Sequence, residues 1–267
     1  MVDDKTYPAI QVEDIRRTFH PGTVQEKKAL RGVSFDLQPG EFAVVIGSNG
    51  AGKSTLLNAL AGEIPVDSGR IVANGTAIQN WPVHRRARLM SRVFQDPMMG
   101  TAAALTIEEN LSIAARRGQR RSLRFGIRKS EREAFREKLE MLGLGLENRL
   151  SDRVDLLSGG QRQSLTLVMA TLKQPQLLLL DEHTAALDPR AAALVMRATT
   201  EVVQENATTT LMVTHNMSHA IEFGNRLLMI HEGRVILDAS AEEKSKLTAG
   251  SLVDRFHDVV SDRMVLS

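Results

Sequence analysis

Nine consecutive residues, Gly47, Ser48, Asn49, Gly50, Ala51, Gly52, Lys53, Ser54 and Thr55, have the types and spacing to cradle a string of phosphates. They fit the pattern G-x-x-x-x-G-K-[ST]. Its glycines let the backbone curl until successive N–H groups point inward at anionic oxygens. Lys53 adds a mobile point charge for the outer phosphates, and Ser54 a hard oxygen of the kind Mg²⁺ prefers. A helix opening at Lys53 turns the positive end of its dipole toward the same place. The pattern counts only where a strand leads in and a helix leads out. Residues 42–46 (FAVVI) are a short apolar run ending at glycine, and residues 56–61 continue as a helix. These residues imply a nucleotide ligand.

A second constellation is Asp181-Glu182, which ends the apolar run 177–180. Carboxylates at the carboxyl end of a buried strand sit where open α/β sheets bind ligands. Asp181 is placed to hold a metal through water, and Glu182 to polarise an attacking water as a general base. Alone, the pair reads equally well as an acidic surface end of a strand. The third is Leu157-Ser158-Gly159-Gly160-Gln161-Arg162-Gln163. Ser158 can cap a helix starting near Gly160, which makes a second anion-binding helix terminus in one chain. A single nucleotide does not need two such sites from one molecule. Two chains set head to tail would use both.

The elements that must position these residues follow from periodicity. The runs 42–46, 177–180 and 209–213 are apolar throughout and separated by helical stretches, which implies βαβ units and a parallel sheet. Alternating stretches from Ile10 and Val12, and at Val33, Phe35 and Leu37, read as antiparallel strands with one wet face. Residues 227–230 and 235–237 flank Glu232-Gly233, a hairpin turn. From about Asp96 to Leu156 the pattern is helical. Thr106 and Glu109 form a capping box opening a helix at Ile107, and residues 130–142 carry Ala134, Phe135, Leu139 and Leu142 at helical spacing before Gly143.

Composition sets outer limits. The chain has 267 residues, no cysteine, 42% hydrophobic and 25% charged residues, and a net charge of +2. That suits one α/β unit carrying a small insertion, and excludes disulfides and thiolate metal sites. No apolar run approaches the ~18 residues needed to cross a bilayer, and the acidic start does not resemble a signal peptide. Transport would therefore require separate membrane subunits. Arg116, Arg117, Arg120, Arg121, Arg124, Arg128 and Lys129 crowd one stretch. It reads as a solvated loop, or as a contact with anionic lipid or an acidic partner. Its single aromatic, Phe125, is thin support for nucleic-acid binding, and no nucleic-acid partner is expected.

LSGGQRQ resembles the signature of the ABC ATPases, and the phosphate loop, LLLLDE and a later histidine stand in that family's order over nearly the whole chain. The resemblance implies an α/β P-loop NTPase fold with a mostly parallel sheet. Residues 1–95 and 157–237 would form a RecA-like core with an antiparallel β-subdomain, residues 96–156 a helical subdomain, and residues 238–267 a helical tail. It implies ATP and Mg²⁺ as cofactors, with Ser54, Gln95 and Asp181 toward the metal. Lys53, Gln95, Glu182 and His215 would be catalytic, His215 as a switch on the γ-phosphate. Residues 158–161 would cover the nucleotide of a second ATPase subunit, another copy of this chain or the other member of a mixed pair. Asp188, in Ala186-Leu187-Asp188, would couple the two sites, and Phe19 would stack on adenine. The partners implied are transmembrane permease subunits and, through them, a periplasmic or lipid-anchored substrate-binding protein. The implied place is the cytoplasmic face of the inner membrane.

Taken singly, these residues admit plainer roles. Gln95 is an ordinary loop residue, Asp188 before Pro189 a helix N-cap, His215 a satisfied strand-end polar group, and Phe19 a core residue before the insertion-like stretch 20–28. His183 stands where the family commonly has proline, either tuning Glu182 or the dimer interface or as a neutral replacement. The forms DEHTAALDP, FHPGTVQEKKAL and VTHNM resemble a bacterial subgroup that imports amino acids, aromatic ones included. Two other readings stand beside transport: an ABC ATPase acting outside it, and a nucleotide-dependent scaffold without turnover. Long coiled coils or a second ATPase domain would mark repair and translation members, and this chain has neither.

Overall fold

β1 (Ile10–Phe19) and β2 (Lys27–Leu37) pair antiparallel, with Ile10 opposite Leu37 and Val12 opposite Phe35. That register collects all four side chains in the core, the half-buried arrangement their alternation predicts. The chain then enters β3 (Phe42–Ile46), buried at every position, and α1 (Lys53–Ala61). β4 (Ser68–Ala73) and β5 (Thr76–Ala77) complete a four-stranded sheet of order β2-β1-β4-β5. The structure, a computed structural model, describes residues 7–119 and 126–255. Arg120, Arg121, Arg124 and Phe125 of the basic stretch, and the end of the tail, lie outside the described residues.

After α2 (Val83–Arg86), β6 (Met90–Val93) joins a second sheet. Between it and the next strand come α3 (Ile107–Ala115), α4 (Lys129–Glu140) and α5 (Gly159–Thr171). β7 (Leu177–Asp181), α6 (Pro189–Glu205), β8 (Thr210–Val213), α7 (Met217–Glu222), β9 (Arg226–His231), β10 (Arg234–Ala239) and α8 (Ala241–Ser245) follow. The second sheet has the order β10-β9-β3-β8-β7-β6. Its pairs are parallel except β9 with β10, whose turn places Glu232 and Gly233 both at positive φ, 45° and 74°, the primed geometry that matches strand twist. Thr106 and Glu109 form the expected reciprocal cap on α3.

The parallel strands are apolar throughout because both their faces are covered. Ala43, Val45, Leu177 and Leu179 face a core shared with α1 and the antiparallel sheet. Phe42, Val44, Leu178 and Leu180 face one shared with α5 and α6. A third cluster holds Ile107, Leu111, Phe135 and Leu139, and α5 reaches into it with Leu165 and Val168 while giving Leu167 and Ala170 to the second. α5 thus ties the helices between β6 and β7 to the sheet. Among the described residues no helix is long and apolar enough to cross a membrane.

α1 ends on an unusual cap. Arg86 is buried and donates to the carbonyls of Ala59 at 2.6 Å, Leu60 at 2.8 Å, Gln79 at 2.7 Å and Trp81 at 3.1 Å. A cation on the last carbonyls of a helix satisfies acceptors that the helix cannot and complements its dipole. Arg86→Met is expected to lower stability by about 3 kcal/mol, read from urea unfolding. An unchanged midpoint would show that these carbonyls do not depend on the guanidinium.

Candidate active site

β3 delivers the chain to Gly47, where a side chain has no room: a Cβ would lie 2.1 Å from the carbonyl oxygen of Ile230 at the end of β9. The β9–β10 turn braces the loop from the same side, the Gly233 N–H donating to Ala51 O at 2.8 Å. Gly233 can approach because a Cβ there would meet Ala29 O at 2.6 Å. The N-cap of α1 is Gly52, which offers no side-chain cap, so the first amides of the helix remain available to an anion. Lys53 is buried and its ammonium donates to Gly47 O at 2.7 Å and Ser48 O at 3.1 Å. Burial pushes its pKa below the usual lysine value, partly offset by Glu182 and Asp181.

The loop opens into a cavity of about 280 Å³ lined by Phe19, Lys27, Asn49, Gly50, Lys53, Ser54, Thr55 and Glu182, among others. Phe19 and Lys27 are opposite each other across β1 and β2, so the strand register places a ring and a second ammonium over the phosphate loop. Arg17 backs the ring, its guanidinium 5.1 Å from the centroid, and is held by Asp67 at 2.8 Å.

At the end of β7 the chain turns sharply. Glu182 has φ 42°, and its N–H donates to Val213 O at 3.0 Å. The left-handed region costs a non-glycine residue on the order of 1 kcal/mol and is tolerated where the surroundings fix it. The turn aims the carboxylate at the end of β8, where Nδ1 of His215 lies 3.1 Å from Glu182 Oε2. A carboxylate only accepts, so the imidazole is the donor. Asp181 lies beside it, and Arg92 Nη2 donates to its Oδ2 at 2.6 Å. Its Oδ1 takes no hydrogen bond from a described residue. Asp181 and the exposed Ser54 hydroxyl are hard oxygens that suit Mg²⁺. Gln95 lies just past β6, exposed, and lines none of the cavities near the loop.

Ser158 caps α5: its Oγ accepts from Gln161 N at 3.3 Å, and Gln161 Oε1 accepts from Ser158 N at 3.2 Å. Residues 158–161 do not line the cavity over residues 47–55, and Ser158 and Gly159 are exposed. Gly160 meets α6, where a Cβ would come within 2.9 Å of Ala191 Cβ. Asp188 caps α6 through Arg190 N at 3.0 Å and Ala191 N at 3.1 Å, with Pro189 in the first turn. His183 points away from the site. It is buried, with Nε2 3.1 Å from Thr199 Oγ1. That hydroxyl donates to Val195 O at 2.8 Å, so the imidazole supplies the proton from Nε2. Burial, with His219 adding, pushes its pKa down to about 4. A neutral imidazole packed under α6 is what the sequence position holds.

Two residues at the site carry no motif. Lys27 lies in the stretch that reads as an insertion, and only its pairing with Phe19 reveals it. Arg92 sits inside a four-residue strand whose sequence, MSRV, shows no periodicity.

A sequence profile described as "ABC transporter" matches residues 30–185. A tyrosine transport ATP-binding protein of Clostridioides difficile is 42% identical over 251 residues, 94% of this chain and 100% of that one. A phosphonates import ATP-binding protein of Frankia casuarinae is 32% identical over 249 residues, 92% of this chain and 96% of that one. A solved dimeric bacterial ABC transporter cassette is 25% identical, with a TM-score of 0.74 over 87% of this chain and 98% of that one.

The His183 environment sets a pH dependence. Its folded pKa lies below the ordinary 6.5, so the unfolded chain binds more protons between pH 4 and 6.5 and stability falls as pH drops through that window. Between pH 7 and pH 5 the loss expected from this group is roughly 2 kcal/mol. Urea unfolding at the two pH values should show a smaller loss in His183→Gln. An equal loss in both proteins would assign the dependence elsewhere.

Proposed function

The chain belongs to the ABC transporter family, as an ATP-hydrolysing subunit that works with separate permease components, and from that premise we propose how its residues act. The observation that carries the reading is a separation. Residues 49–55 line a cavity of about 280 Å³, while the capped N-terminus of α5, with Ser158 and Gly159 exposed, lies outside that cavity's lining. Each is an anion-binding arrangement that the other would complete. A second copy set head to tail brings residues 158–161 over the triphosphate held by residues 47–55. Closing the pair excludes water and strengthens every phosphate contact.

Within each half, Lys53 contacts the outer phosphates and Phe19 stacks on adenine. Ser54, Gln95 and Asp181 would hold Mg²⁺, which would screen the charge of the phosphate oxygens. Glu182 takes a proton from the attacking water, and His215, already 3.1 Å from Glu182, orients that carboxylate and then contacts the γ-phosphate. Asp188 and α6 carry the change toward the partner's site. Little covalent chemistry falls to the protein; positioning and charge stabilisation dominate phosphoryl transfer.

The permease docks in a groove of about 310 Å³ beside Gln95, lined by Val83, Phe94, Met99 and Met169 among others. Val83 and Met99 are largely exposed there, and apolar side chains open to water in a concave surface favour a partner. The subunit then sits on the cytoplasmic face of the inner membrane. It drives uptake of a small solute, an amino acid, delivered to the permease by a binding protein. Tyrosine is the first solute to test, because the 42% identical relative carries that name.

Glu182→Gln is expected to lower turnover about 10²–10⁴-fold while leaving ATP binding intact; near-normal phosphate release would remove Glu182 from the chemistry. Met99→Asp is expected to abolish copurification with the permease without changing the unfolding midpoint. Retained copurification would move the docking surface elsewhere.

A further inference from the structure

Arg92 lines the groove that Glu63 and Phe94 also line, and from there it bonds three points on or next to the elements that carry the phosphate loop and Asp181. Its Nη2 donates to Asp181 Oδ2 at 2.6 Å, and its Nη1 donates to Asn58 Oδ1 at 2.7 Å and Glu63 Oε2 at 2.8 Å. Asn58 belongs to α1, Glu63 follows it, and Asp181 ends β7. The Phe94 ring covers the guanidinium, 4.7 Å from centroid to Cζ. The Arg92 and Asp181 side chains are only 11% and 14% exposed.

Three oxygens, two of them from carboxylates, converge on one guanidinium. Hard oxygens gathered in this way are the donor set that divalent cations take. Without a cation, Asp181 and Glu63 would be like charges in a partly dry place. With Arg92 between them, the three side chains carry one net negative charge. Among the described residues, no group of three or more His, Asp or Glu side chains is placed to hold a metal by itself.

We propose that Arg92 is a positioning residue that stands in for a metal at Asp181, so that a divalent cation binds there tightly only together with the triphosphate. The proposal rests on the reading of Asp181 as the metal's carboxylate. Arg92 fixes Oδ2 and leaves Oδ1 for the metal side, while the phosphates supply the negative charge that Arg92 has cancelled. Free cations are thereby kept from filling the site ahead of the nucleotide. A bridge that served stability alone would have no effect on metal binding when it is replaced.

Mn²⁺ titrated into the full chain, with free Mn²⁺ read by EPR, tests this. The unaltered protein is expected to bind Mn²⁺ weakly alone and tightly with ATP. Arg92→Met is expected to bind Mn²⁺ alone about tenfold more tightly. Arg92→Lys, which keeps the charge, should behave as the unaltered protein, and Arg92→Met combined with Glu63→Gln should lose the gain. Arg92→Gln keeps a hydrogen-bond donor without the charge, so it carries the test if Arg92→Met does not fold. Nucleotide-free affinity unchanged in the folded charge-neutral variant would overturn the proposal. Asp181→Asn separates the two claims. If it leaves Mn²⁺–ATP binding untouched, the reading of Asp181 fails. If it weakens that binding while Arg92→Met and Arg92→Gln are silent, only the role of Arg92 fails.

Discussion

A positive charge buried at the wrong end of a helix organises this molecule. Lys53 opens α1, where the helix dipole disfavours a cation, and burial disfavours it further. Two carbonyls of its own loop, Gly47 and Ser48, hold the ammonium. An ammonium so placed gains most when an anion of high charge density shares the helix terminus. The surrounding structure fixes the loop for that purpose. The end of β9 presses on Gly47, the β9–β10 turn bonds Ala51, and Arg86 holds the far end of α1 by its carbonyls. The two ends of α1 are thus held by two buried cations, one structural and one poised for a ligand.

The second half of the apparatus is built on α5 and α6. Gly160 lies against Ala191 so closely that a side chain would displace α6. Ala191 stands in the first turn of α6, capped by Asp188, and six residues before that cap is Glu182. The segment proposed to cover a partner's nucleotide is therefore braced by the same helix whose start follows from the turn at Glu182. α5 also shares its apolar side chains between the sheet and the helices after β6, so the helix that carries residues 159–161 is packed against both.

Much of this was legible in the sequence because it is local. The loop 47–55, the cap at Ser158 and the cap at Thr106 each depend on neighbours within a few residues, so spacing reveals them. The strands 42–46 and 177–180 show themselves because both faces are covered. β4 and β6 do not: β4 is exposed over its first half, and β6 carries a charged residue within four. The residues that escaped notice act over long separations. Arg92 meets Asp181 across 89 residues and Asn58 across 34. Lys27 reaches the cradle only through the β1–β2 register. His183 could not be assigned from its neighbours because Thr199, on the next helix, decides its tautomer, and burial beneath that helix decides its neutrality. Local chemistry fixes what a residue can do, and the sheet register decides which distant residue it does it with.

The central claim is that one copy of this chain holds a triphosphate in a pocket with one wall missing, and that a second copy supplies it. Sedimentation of Glu182→Gln with and without Mg²⁺ and ATP measures this most directly. The account requires particles of single mass without nucleotide and of twice that mass with it, the doubling lost when Ser158→Arg is added. Particles of single mass at saturating ATP, with the nucleotide shielded from exchange, would contradict it.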